Sequence, residues 1–183
     1  MTTPERQETV ESDADQLTDW LMTLVRDRRY GDLAQLRRVT ASSSARYRAG
    51  WFATDQDKRE VYEQTAFLFA VYHQGARAPK RGHGSFGAAA RRIGRPGARG
   101  FEDPGATRLI DRIVSGRRIP WRHLRHGIAR LRACEQPPPS WTELVVDLDR
   151  WNNRKARVAD RWATDFHEPQ NLRRSNRQKG SST

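Results

Sequence analysis

Apolar residues recur along the chain at spacings of three and four, the period of one helix face, while alternating strand patterns and Asn-Gly or Asp-Gly hairpin turns are scarce. The pattern predicts an all-α protein. A first helix from about Ser12 or Asp13 places Leu17, Trp20, Leu21, Leu24 and Val25 on one face and stops at Gly31. Asp32 can cap a short helix carrying Leu33, Leu36 and Val39, followed by a Ser-rich loop from Thr40 to Ser44 and a break at Gly50. A longer helix from about Asp55 carries Val61, Tyr62, Ala66, Phe69 and Tyr72, with Gly75 suited to the C′ position. Residues 75–85 read as a glycine-rich basic loop, Ser85 as the cap of a small helix through Ile93, and residues 94–102 as a second flexible stretch.

The second half is punctuated more sharply. Asp103, Pro104 and Gly116 delimit a helix with Ala106, Leu109, Ile110 and Ile113 inward, and with Arg108 and Arg112 outward one turn apart. Pro120 opens another, with Trp121, Leu124, Ile128 and Leu131 inward, Arg122, His126 and Arg130 outward, Arg125 and Arg132 at the margin, and Pro137–Pro139 as its stop. Ser140 to Glu143 form a capping box before Leu144, Val145, Leu148 and Trp151; a kink at Asn152 and Asn153 precedes Val158, Trp162 and Phe166. The expected architecture is seven to nine helices in two small bundles packed end to end, covering residues 12–98 and 99–167. A disordered acidic N-terminus (1–11) and a disordered basic tail (168–183) are expected to flank them.

Charge changes this picture from a fold to a site. The chain has 183 residues, 34 Lys and Arg against 22 Asp and Glu, and a net charge of +12. Residues 77–132 hold 15 basic and 3 acidic residues, so this third carries an excess equal to that of the whole chain. Uncompensated arginines repel one another in a folded domain, and a polyanionic partner is the economical reason to keep them. No apolar run approaches a membrane span, and six acids among the first twenty residues do not suit a signal peptide, so a cytoplasmic protein is expected.

Candidate catalytic chemistry is thin. One cysteine, Cys134, permits neither an internal disulfide nor a cysteine-cluster zinc site. The five histidines are scattered among arginines, Gly82 to Gly87 lacks phosphate-loop spacing, and Ser85 has no triad partner visible in sequence. The basic segment holds only Glu102, Asp103 and Asp111, too few for a two-metal nuclease. The expectation is a non-enzymatic binder without a metal or other cofactor. Arginines spread over two helices and two loops suit phosphate contact better than base readout. A sequence-specific regulator using the 104–134 pair as a helix-turn-helix, and a helical scaffold binding acidic protein partners, remain the alternatives.

Several segments resemble the CasB family, the small α-helical subunit of the type I-E CRISPR surveillance complex Cascade. The carriers, between about Leu17 and Phe166, are Gly31 to Arg38; Ser85 to Gly87 with Arg91 and Arg92; Arg108 to Arg112 with Leu124, Arg125 and Leu131; and Ser140 to Leu144 with Trp151, Arg154 and Arg161 to Phe166. The resemblance implies a two-bundle helical fold, two copies side by side, and contacts with the large and backbone subunits. It also implies a non-catalytic surface that holds the displaced non-target DNA strand and supports the crRNA–target hybrid of the R-loop. The phosphate-facing residues it implies are Lys80, Arg81, Arg91, Arg92, Arg108, Arg112, Arg117, Arg118, Arg125, Arg154, Lys155 and Arg157. Arg37 and Arg38 match as well, for nucleic acid or for an internal or subunit contact.

Overall fold

The computed structural model describes residues 4–38 and 43–168, and these hold nine α-helices. They are α1 (Pro4–Arg26), α2 (Tyr30–Leu36), α3 (Ser44–Trp51), α4 (Arg59–Tyr72), α5 (Phe86–Ala90), α6 (Pro104–Val114), α7 (Trp121–Ala133), α8 (Trp141–Asp149) and α9 (Val158–His167). The all-α class holds. Its one small exception is a hairpin of β1 (Gly94–Arg95) and β2 (Ala98–Arg99), where a flexible stretch was expected. Pro96 and Gly97 make the turn, Gly97 at φ +87°, a backbone region in which glycine carries no steric penalty.

Several boundaries move for identifiable reasons. Helix α1 begins at Pro4, so residues 4–11 are helical where disorder was expected; a proline at the first helical position suits such a start. It ends at Arg26 rather than Gly31, because Arg28 turns the chain at φ 54°, and Gly31 lies inside α2. Asp32 sits in the first turn of α2, paired with Arg29 at 2.7 Å, and does not occupy the cap position. Val39 and Thr40 to Ser42 lie outside the described residues. Ser43 caps α3 by accepting from the Arg46 N–H at 3.2 Å, and Gly50 is buried in that helix instead of breaking it. The expected kink at Asn152 and Asn153 is a complete break between α8 and α9, with Arg157 at φ 46°. The proposed basic tail falls almost wholly outside the described residues.

Helix α4 organises the core. Val61, Tyr62, Thr65, Ala66, Phe67, Leu68, Phe69, Ala70 and Tyr72 are all buried, so it is apolar nearly all round, as a central helix must be. It packs against α1, α2, α3, α7 and α8, while α1 also lies on α8, and α9 receives both α5 and α6. The helix groups on either side of residues 94–103 thus join through one buried apolar cluster. Two polar ties cross between them, Tyr72 Oη donating to the Gln136 carbonyl at 2.8 Å and Trp141 Nε1 to the Lys80 carbonyl at 2.9 Å; within the second group Trp162 Nε1 donates to buried Asp147 at 2.6 Å.

Candidate nucleic-acid interface

Helices α6 and α7 form the basic hairpin, and local chemistry sets its ends. Asp103 caps α6 by accepting from the Ala106 N–H at 2.7 Å, with Pro104 in the first turn. Ala106, Leu109, Ile110 and Ile113 are buried, as are Leu124, Ile128 and Leu131 of α7. The Asp103 carboxylate also accepts from Arg130 at 3.1 and 3.2 Å, so Arg130 is engaged internally and is not an outward cation. This contact joins the start of α6 to the end of α7, so the helices run back along each other in opposite directions. A DNA-reading helix-turn-helix pair instead crosses at roughly 90–120°.

The sequence-expected residues divide by use. Arg108 and Arg112 stand exposed on α6 with Asp111 on the same side, Arg117 and Arg118 are exposed in the connecting turn, and Arg125 is exposed on α7. Lys80 is exposed in the loop, Arg154 and Lys155 in the α8–α9 connection, and Arg38 after α2. None of these nine forms an ion pair among the described residues.

The others have structural duties. Arg92 is half-buried and clamps the chain before α8, donating to the carbonyls of Pro137 at 3.1 Å and Pro138 at 3.2 Å. Burial holds its guanidinium below the ordinary arginine pKa, with Tyr72 opposing part of the effect. Arg91 donates to the Glu168 carbonyl, and Arg157 pairs with Asp160 at 2.8 Å. Arg81 pairs with Asp19 and lies 3.8 Å from Asp15, an exposed contact of the weak surface kind. Arg37, at the C-cap of α2, is half-buried; burial first, and then the like charge of Arg132, lower its pKa.

The basic loop is not free either. His83 N–H donates to the Pro138 carbonyl at 3.3 Å, Ser140 N–H to that of Gly84 at 2.9 Å, and Lys80 N–H to the His73 ring at 2.9 Å. Gly82 has φ +77°, and a Cβ there would stand 2.0 Å from the Pro139 carbonyl oxygen, so glycine permits the loop to lie flat on the Pro137–Pro139 segment. Ser85 caps α5 and donates to Asp165 at 2.5 Å, tethering α5 to α9.

Two features were not legible in the sequence. An apolar-floored cleft of about 260 Å³ opens between α3, α4 and α7, lined by Arg46, Gln64, Phe67, Leu68, Trp121, Arg122 and Arg125. Trp121 was expected in the core but is only half-buried at this cleft, and the Arg125 guanidinium lies over the Phe67 ring, 5.4 Å from its centroid. On α3, Tyr47 and Trp51 are exposed one turn apart, Trp51 at 71%. The 3.6-residue phase of α7 already placed Arg122 outward, but the α3 contribution had no signal, because that helix lies in a stretch with little apolar periodicity.

Comparison with known proteins agrees with this architecture. No helix among the described residues is long and apolar enough to cross a membrane. No curated protein matches the chain in sequence. The crystal structure of CasB from Thermobifida fusca superposes with a TM-score of 0.65 over 87% of this chain and 98% of that one, and at 19% identity this is a likeness of fold. Residues 32–167 match the family of CRISPR-associated protein Cse2, a span from α2 through α9 that includes the basic hairpin and the pinned loop. The chain belongs to the CRISPR-associated Cse2 family, whose members are subunits of Cascade.

Proposed function

We propose that this Cascade subunit binds nucleic-acid backbones without sequence preference, holding the displaced non-target DNA strand and supporting the crRNA–target hybrid. Strand exchange in an R-loop is nearly balanced in energy, so a few backbone contacts suffice to tip it. The supporting observation is the arginine surface of the α6–α7 hairpin, where Arg108, Arg112, Arg117, Arg118 and Arg125 are exposed and form no ion pair among the described residues. Lys80, Arg154 and Lys155 are further exposed cations without an ion pair among the described residues; Arg81, Arg91, Arg92, Arg157 and Arg37 contribute less, because internal partners or burial engage them. On the same reading the protein takes its place in the complex as two adjacent copies touching the large and backbone subunits, acts without catalysis, and works in the cytoplasm. The antiparallel hairpin favours this reading over a sequence-specific regulator.

Titrating the chain with short single- and double-stranded DNA at several salt concentrations tests it. Affinity falls steeply with salt, each phosphate contact adding about 0.7 (single strand) to 0.9 (duplex) to the log–log slope. Reversing both Arg108 and Arg112 to Glu lowers the slope by roughly 1.4 to 1.8 and weakens binding alike across sequences. Salt-independent binding, or a motif enriched by selection, would refute the proposal.

A further inference from the structure

The cleft between α3, α4 and α7 sorts its surface by polarity in a way that backbone binding alone does not use. Its floor is Phe67 and Leu68, with Trp121 to one side. Of its three arginines, Arg46 is neutralised by Glu63 at 2.8 Å, while Arg122 and Arg125 are exposed without an ion pair among the described residues. The interior is therefore apolar and electrically quiet, and the uncompensated positive charge sits at the mouth. We infer that this cleft receives one unstacked nucleobase of a bound single strand, with the flanking phosphates held by Arg122 and Arg125.

A nucleotide has the matching polarity: an uncharged aromatic ring joined to an anionic phosphate. The volume of about 260 Å³ suits a single base, and falls below the roughly 300–1,000 Å³ of sites that enclose whole drug-sized ligands. Arg125, whose guanidinium lies over Phe67, and the Trp121 ring supply the surfaces against which bases stack, and stacking tolerates any base because each has a π-face. Gln64 lines the same cleft and carries both a donor and an acceptor, so it can meet the edge of different bases. The turn with Arg117 and Arg118 immediately precedes α7, so a strand held on the hairpin passes the start of the helix that forms this wall. The inference rests on the proposed backbone binding and adds to it a preference for strands that can expose a base.

The test compares the full chain's affinity for an oligothymidine of about 12 nucleotides with that for an abasic strand of equal length and phosphate number. The thymidine strand is expected to bind about 5- to 150-fold more tightly at the same salt, the range of one base–aromatic contact. Phe67→Leu, which keeps an apolar floor, reduces that ratio toward one and leaves abasic-strand affinity unchanged. Trp121→Leu does the same from the first residue of a helix, and serves if the buried substitution unfolds the chain. Photo-crosslinking a 5-bromouracil strand is expected to label Trp121. Equal affinity for both strands overturns the inference while leaving backbone binding intact, and binding of neither overturns both. A ratio that survives both variants, or a crosslink confined to Tyr47 and Trp51, places the base contact elsewhere and also overturns it.

Discussion

His73 gives a pH dependence whose sign and size follow from its surroundings. The ring is 1% exposed and stacked on Phe69 at a centroid distance of 3.9 Å, with Tyr72 and Trp141 edge-on or tilted nearby. The Lys80 N–H can only donate, so Nε2 at 2.9 Å is its acceptor; Nδ1 then carries the proton and donates to the Phe69 carbonyl at 3.0 Å. Burial pushes the His73 pKa down to about 4; the Phe69 bond opposes this in part, and the Lys80 and Arg132 charges reinforce it. In the unfolded chain the value is about 6.5. Below that pH the unfolded state takes up a proton that the folded state refuses, so stability is complete above about pH 6.5 and falls as the pH drops toward 4. Between about pH 7.5 and 4 the loss is about 3 kcal/mol, with a slope of at most about 1.4 kcal/mol per pH unit. Urea unfolding of the wild type and His73→Gln across this range isolates the effect, because the other titrating groups are common to both. The variant is less stable at neutral pH and its profile is flatter by about that amount. Parallel profiles would refute the assignment of a buried, neutral ring. Because the same ring holds the Lys80 backbone, acid is also expected to release the basic loop first, read as early loss of amide protection at Lys80.

Two further substitutions probe the frame that carries the arginines. Gly87→Ala would put a Cβ 2.0 Å from the Trp162 carbonyl oxygen, forcing α5 away from α9; the cost is expected to reach or exceed the upper end of the roughly 1–3 kcal/mol typical of overpacking, seen as a lowered Tm, and an unchanged Tm would contradict the close approach. Asp103→Ala removes both the α6 cap and the Arg130 partner and is expected to cost about 1–2 kcal/mol in denaturant unfolding, whereas Asp103→Asn keeps the cap acceptor and loses less.

Much of the molecule was written in local chemistry. The caps Asp103, Ser85 and Ser140, the proline starts of α6 and α7, and the inward aliphatic positions of both helices depend on residues within one or two turns, and these are found where the spacing placed them, whereas Trp121, expected inward, is half-buried. Net charge and its concentration in residues 77–132 likewise need no coordinates. Helix α3 escaped because Ser43, Ala45, Arg46 and Ala49 carry little apolar signal, and its formation depends on packing against α2 and α4.

Which arginines are free was a tertiary decision. Arg92 reads like Arg112 in the sequence, yet carbonyls 45 and 46 residues away engage it; Arg81 meets Asp19 on a helix 62 residues back. The cleft depends on the same kind of distance, since α3, α4 and α7 contribute to it together. A sequence determines what each segment prefers within a few turns, because backbone hydrogen bonds and side-chain period act at that range. The partners of a long cation depend on where the remote chain returns, and only the packed core around α4 decides that.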